Sequence, residues 1–101
     1  MENMTAKREG DLLTVCLKNR LDALNSSDVQ QALEPLLNGI KHLRLDLSNL
    51  NYISSAGLRV LLFLRQEMEE KNGDMELLHV NQIVMDVFDV TGLLEDLTIV
   101  E

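Results

Sequence analysis

Two consecutive hydroxyls, Ser54 and Ser55, stand immediately before Ala56-Gly57-Leu58 and a long apolar run that reads as a helix. A serine at a helix start can do two things. Its oxygen can cap the unpaired first-turn N–H groups, which suits Ser54 as N-cap and leaves Ser55 as the first helical residue. Its hydroxyl can also accept a phosphoryl group, which the N–H groups and the positive end of the helix dipole tolerate. Such a group adds about −1.5 to −2 of charge near neutral pH, enough to expel a partner that accepts the neutral hydroxyl. In that chemistry the serine, Ser54 or Ser55, is a substrate, and the chain supplies no catalytic group.

Three other polar residues are expected around the same spot. Asp46 closes the alternating segment His42-Leu43-Arg44-Leu45-Asp46-Leu47, whose period of two predicts a strand with one buried face. Asp22 and Asn25 lie in the polar stretch 18–26, read as a loop after a strand over 12–17. If those strands are parallel neighbours, both loops reach the carboxyl edge of the sheet, where functional loops gather. Asp22 and Asp46 acting as an acid–base pair is the weaker reading, because no second domain, metal set or nucleophile accompanies them.

Other chemistries find little material. The glycines stand singly, so there is no phosphate-cradling loop. His42 and His79 read as solvated or satisfied strand histidines, with no metal expected. Ser55-Ala56-Gly57 lacks the preceding glycine of a nucleophile elbow. Cys16 has no cysteine partner and only Lys18 as a nearby cation, which makes it a packing residue facing away from Leu13, Val15 and Leu17. Aromatic residues are only 3% of the chain, too few to stack a nucleobase, haem or flavin, and no cofactor is expected.

The elements that must position Ser55 follow from punctuation and periodicity. Segments 4–8 and 12–17 flank Glu9-Gly10-Asp11 as a hairpin. Ser26 or Ser27 is expected to cap a helix carrying Val29, Ala32, Leu33, Leu36 and Leu37, kinked or shortened by Pro35 and ended by Asn38-Gly39. A strand over 42–47 leads through 48–53 into a helix from about Ser54 to Lys71, stopped by Asn72-Gly73. A strand over 76–80, a helix over 82–90 and a closing strand over 97–100 complete the chain. The order β-β-α-β-α-β-α-β predicts an α/β fold with a mixed sheet of four to five strands and helices mainly on one face, not a doubly wound sheet. On the long helix, Leu58, Leu61, Leu64 and Met68 form a core stripe. Arg59 and Phe63 fall on the far side, as an exposed pair suited to contacting another protein.

Composition bounds the partners. The 101 residues are expected to form one domain over 1–101, and 46% hydrophobic with 26% charged is a globular balance. Nine basic against 17 acidic side chains give a net charge of −8, which argues against nucleic acid and anionic membrane surfaces. No segment has the length and apolarity of a membrane span, and the first residues lack the pattern of a signal peptide. A cytoplasmic protein is the expectation.

The run Asp46-Leu47-Ser48-Asn49-Leu50-Asn51-Tyr52-Ile53-Ser54-Ser55-Ala56-Gly57-Leu58-Arg59-Val60-Leu61 resembles the signature of bacterial anti-sigma factor antagonists, the STAS domain family. Leu21-Asp22-Ala23-Leu24-Asn25-Ser26 is similar to that family's first loop, and Thr91-Gly92-Leu93 to the end of its last helix. The resemblance implies that Ser55 is the phosphoacceptor of a partner anti-sigma factor, an ATP-dependent serine kinase, with a serine phosphatase resetting the switch. It also implies that Asp22, Asn25, Ser54, Ala56, Gly57, Arg59 and Phe63 contribute to partner binding. The unphosphorylated protein would hold the anti-sigma factor and free a sigma factor. The chain departs from the family at Ser54, where Asp is usual, which makes Ser54 the runner-up acceptor, and at Asn19-Arg20, where a Gly-rich turn is usual. It also stops soon after the last strand, so the family's C-terminal helix is expected to be absent or vestigial. The same fold also serves as a non-phosphorylated subunit of a lipid-transport ATPase or signalling scaffold, the alternative role.

Overall fold

The computed structural model describes residues 3–100. The chain runs β1 (Met4–Glu9), β2 (Leu12–Leu21), α1 (Ser26–Leu33), a 3-10 turn (Glu34–Leu37), β3 (His42–Ile53), α2 (Ser55–Glu70), β4 (Asp74–Leu78), α3 (Gln82–Thr91), a second 3-10 turn (Leu93–Glu95) and β5 (Ile99–Val100). The five strands lie in one sheet in sequence order, with β1 antiparallel to β2 and every later pair parallel. That is the expected mixed sheet. The three helical crossovers step in the same direction across it, so crossovers of one hand place their helices on one face.

Burial shows that face. Leu43, Leu45 and Leu47 of β3 are buried with Leu13, Val15 and Leu17 of β2. The alternate residues His42 and Arg44 are exposed, and Cys16 and Asp46 are half-buried. From the helical layer, Val29, Leu33, Leu58, Leu61, Leu64, Met68, Val84 and Phe88 complete the core. The stripe Leu58, Leu61, Leu64 and Met68 is buried as its spacing requires.

Local chemistry accounts for the ends. Gly10 takes φ +62°, the left-handed conformation that a tight hairpin demands. Pro35 lacks the N–H an α-helix would use, so α1 stops at Leu33 and the chain continues as a 3-10 turn. Asn25, not Ser26 or Ser27, is the N-cap of α1, and its side chain makes no capping bond because it is committed elsewhere.

The strands depart most from expectation. β2 continues past Leu17 to Leu21, through segment 18–21 that its polarity marks as loop. Its register with β3 shifts between Cys16 and Lys18 and again between Asn19 and Arg20, with Asn19 at φ +66°. Each irregularity breaks the period of two. β3 likewise runs through 48–53, with Leu47, Leu50 and Ile53 buried at every third residue. β4 begins at Asp74 and ends at Leu78, two residues earlier than its pattern suggests, because His79 turns to φ +56°. β5 is confined to Ile99–Val100.

Candidate functional site

The extended ends of β2 and β3 deliver the site. Leu21 pairs with Ile53, and the Ser54 amide donates to the Leu21 carbonyl at 3.0 Å. The loop that begins at Asp22 is thereby held against the start of α2. Asp22, Asn25, Ser54 and Ser55 converge at the carboxyl edge of the sheet, as their positions require.

The loop is organised by its own polar groups. Asp22 is only 6% exposed. Its carboxylate accepts from the Leu24 amide at 3.0 Å and pairs with Arg20 Nε at 2.5 Å. Asn25 ties the loop back: its Oδ1 accepts from the Asp22 amide at 2.9 Å and its Nδ2 donates to the Arg20 carbonyl at 2.7 Å. The Asp22 carbonyl accepts from the Ser26 amide at 2.8 Å, leading the chain into α1. Leu24 projects from this turn, 85% exposed.

At the start of α2 the two serines differ. Ser54 is half-buried, and its Oγ accepts from the Gly57 amide at 3.4 Å as the N-cap. Ser55 is exposed and is the first residue of the helix. Gly57 is buried against the loop: a Cβ there would lie 2.4 Å from the Leu21 carbonyl oxygen and 2.8 Å from Ile53 Cγ1. Glycine alone lets α2 approach the end of β2 this closely. Arg59 is exposed one turn after Ser55, and Ala56 is half-buried. Between α1 and α2 a shallow groove of about 340 Å³ is lined by Ser26, Ser27, Gln30, Gln31, Ala56 and Arg59, among others. A second cleft of about 250 Å³, bordered by Arg65, Glu69, Asp74, Glu95 and Asp96, contains none of the site residues.

Two sequence assignments are corrected. Asp46 is not part of this cluster. β3 continues seven residues beyond it, and at about 3.3 Å per residue that carries Ser54 well over 20 Å along the chain. Its carboxylate lies on the open face of the sheet, 3.2 Å from His79 Nδ1 and 3.0 Å from the Ser48 amide. Phe63 is half-buried and packed against the core, not exposed. It follows buried Val60 by three residues, so it lies on the flank of the buried side of α2, whereas Arg59 faces solvent. His42 pairs with Asp74 at 3.0 Å, so the two histidines hold different carboxylates. The described residues contain no cluster suited to a metal.

Arg20 is the site residue that the sequence reading passed over. Besides holding Asp22, its guanidinium lies 5.7 Å from the Tyr52 ring centroid, its register partner on β3. The signal was an opposite-charge pair two residues apart, which shares one face only if the segment is a strand.

Asp46 supports a separate prediction. Burial raises its pKa, but hydrogen bonds from the Ser48 backbone and side chain and from His79, with the attraction of that ring, outweigh this and hold it below the ordinary value of 3.8. The group therefore stabilises the fold at pH values above its unfolded pKa, and that contribution disappears as pH falls through the lower folded value. Urea unfolding of the protein and of Asp46→Asn should differ near pH 5, and the gap should close as pH falls below about 4. A gap that stays constant down to pH 2 would refute this.

The family model described as the STAS domain matches residues 3–101. Over 92 residues the chain is 30% identical to BtrV of Bordetella bronchiseptica, to which the role of anti-sigma factor antagonist is assigned, covering 90% of this chain and 79% of that one. It is 24% identical over 91 residues to the anti-sigma-B factor antagonist of Bacillus subtilis, covering 90% and 84%. Among solved structures it is similar to the anti-sigma factor antagonist SpoIIAA in its unphosphorylated form, with a TM-score of 0.83 at 17% identity, covering 97% of this chain and 88% of that one. The phosphorylated form of the Bacillus cell fate determinant SpoIIAA gives 0.75 at 16%, covering 97% and 91%. At those identities the likeness is one of fold.

Proposed function

We propose that this chain, which belongs to the STAS domain family alongside the anti-sigma factor antagonists it resembles, is an anti-sigma factor antagonist switched by phosphorylation of Ser55. Unphosphorylated, it binds an anti-sigma factor that is itself an ATP-dependent serine kinase, and so releases a sigma factor. Phosphorylation ends that binding, and a serine phosphatase restores it. The γ-phosphoryl group passes from ATP to Ser55 Oγ, the hydroxyl proton leaves to the kinase's base, and ADP departs. This chain provides the acceptor and the docking surface.

The observation that carries the reading is the difference between the two hydroxyls. Ser55 is exposed at the first position of α2, while Ser54 is half-buried with its oxygen engaged as the cap. A kinase approaching this edge meets the Ser55 oxygen first. The surface it would cover comprises the loop carrying Asp22, Leu24 and Asn25, the helix start from Ser54 to Gly57, and Arg59. Leu24, with 85% of its surface exposed beside rigid polar groups, supplies an apolar contact there. No helix among the described residues is long and apolar enough to cross a membrane.

The test is incubation with ATP and an anti-sigma-type serine kinase from the same genome, read by intact mass. One phosphate adduct is expected on the wild type and on Ser54→Ala, and none on Ser55→Ala. An unmodified wild type, or an undiminished adduct on Ser55→Ala, overturns the assignment.

A further inference from the structure

We propose that Arg59 is the intramolecular counter-ion of Ser55 once that residue is phosphorylated, and that phosphorylation acts on binding partly by capturing this guanidinium. The inference rests on Ser55 being the modified residue. Ser55 and Arg59 are both exposed and stand at positions i and i+4 of one α-helix, where side chains are neighbours about 5–6 Å apart at Cβ. The order is the favourable one, with the anion N-terminal to the cation.

Arg59 is also free to respond. Among the described residues Arg20 is held by Asp22 and Arg65 by Glu69, but Arg59 has no carboxylate within 4 Å. The charged groups on the elements packed around the start of α2 are few. The end of β2 contributes the Arg20–Asp22 pair, and α1 and its 3-10 extension contribute Asp28 and Glu34, both exposed, with Glu34 lining the same groove as Arg59. Unmodified, Ser55 therefore sits beside a guanidinium that, among the described residues, shares a groove with Glu34 but forms no ion pair, on a chain of net charge −8. That guanidinium is available to a carboxylate on a partner. A phosphoryl group on Ser55 offers it a closer anion, with oxygen acceptors matched to the guanidinium fork. The partner then loses a cation and meets a dianion at the same place.

Phosphoserine installed at position 55 during translation tests this without any kinase, so its failure is separable from a failure of Ser55 as acceptor. The readout is the second ionisation of the phosphate, near 6 in an unperturbed phosphoserine, followed by phosphorus NMR. Surface pairs at this spacing contribute about 0.3–0.5 kcal/mol, so Arg59→Gln should raise that value by about 0.2–0.4 unit at low salt. The difference should shrink in 1 M salt. Arg65→Gln should leave it unchanged, and phosphoserine at position 54, off the Arg59 register, should respond less to Arg59→Gln. An Arg59→Gln titration superimposable on the wild type at low salt, or an equal response from position 54, overturns the proposal.

Discussion

Gly57→Ala should destabilise the fold by about 1–3 kcal/mol, against the usual sign for such a change. Alanine in a helix interior normally gains up to about 1 kcal/mol over glycine. Here the added methyl would sit 2.4 Å from a backbone oxygen and 2.8 Å from Ile53 Cγ1. The carbonyl cannot withdraw freely, because Leu21 also accepts the Ser54 amide and pairs with Ile53 in the sheet. The helix must move instead, and it carries Ser54 and Ser55 away from the loop held by Asp22. Two measurements should therefore change together. The urea midpoint should fall with an unchanged slope, and the rate at which a kinase modifies Ser55 should fall too. Unchanged or increased stability would mean that α2 does not depend on this close approach.

The same contact shows how far the sequence could be read. The start of α2 was legible because it is local: an N-cap serine, a first-turn hydroxyl and an apolar stripe all fall within one helix. The hairpin at Gly10 and the break at Pro35 were legible for the same reason. The strand ends were not. Lys18-Asn19-Arg20 reads as loop because register shifts and a left-handed Asn19 abolish the alternation that marks a strand. In β3 the buried residues after Leu47 come every third position. Those hidden residues decide what belongs to the site. They carry Asp22 up to Ser54 and leave Asp46 behind on the open face. Phe63 was misplaced for a different reason. A helix wheel gives a direction but not the width of the neighbouring layer, and α1 packs beside α2, leaving Phe63 half-buried at the margin.

Asp22 is where the family resemblance and the physical chemistry make the sharpest joint claim. Asp22→Ala should cost about 1–3 kcal/mol, toward the lower end because the partner Arg20 is 57% exposed and can recruit water. Asp22→Asn keeps an oxygen for the Leu24 amide but loses the charge that holds Arg20, so it should fall between the wild type and alanine. Amide exchange separates a local effect from a global one. Protection at Leu24 and Ser26 should drop in Asp22→Ala more than protection in the β3 core, since the Leu24 bond is made by the carboxylate and Ser26 depends on the position of the Asp22 carbonyl. The consequence for binding follows from geometry. With Asp22 replaced, Arg20 is released, Leu24 is no longer presented on a fixed turn, and a partner must pay to order the loop that the wild type holds ready. Asp22→Ala should therefore weaken partner binding even with Ser55 unmodified. If Asp22→Asn binds as the wild type does while Asp22→Ala does not, the hydrogen bond to Leu24 is what orders the surface. If both fail equally, the ion pair with Arg20 is. Retention of full affinity by Asp22→Ala would remove the loop from the docking surface altogether.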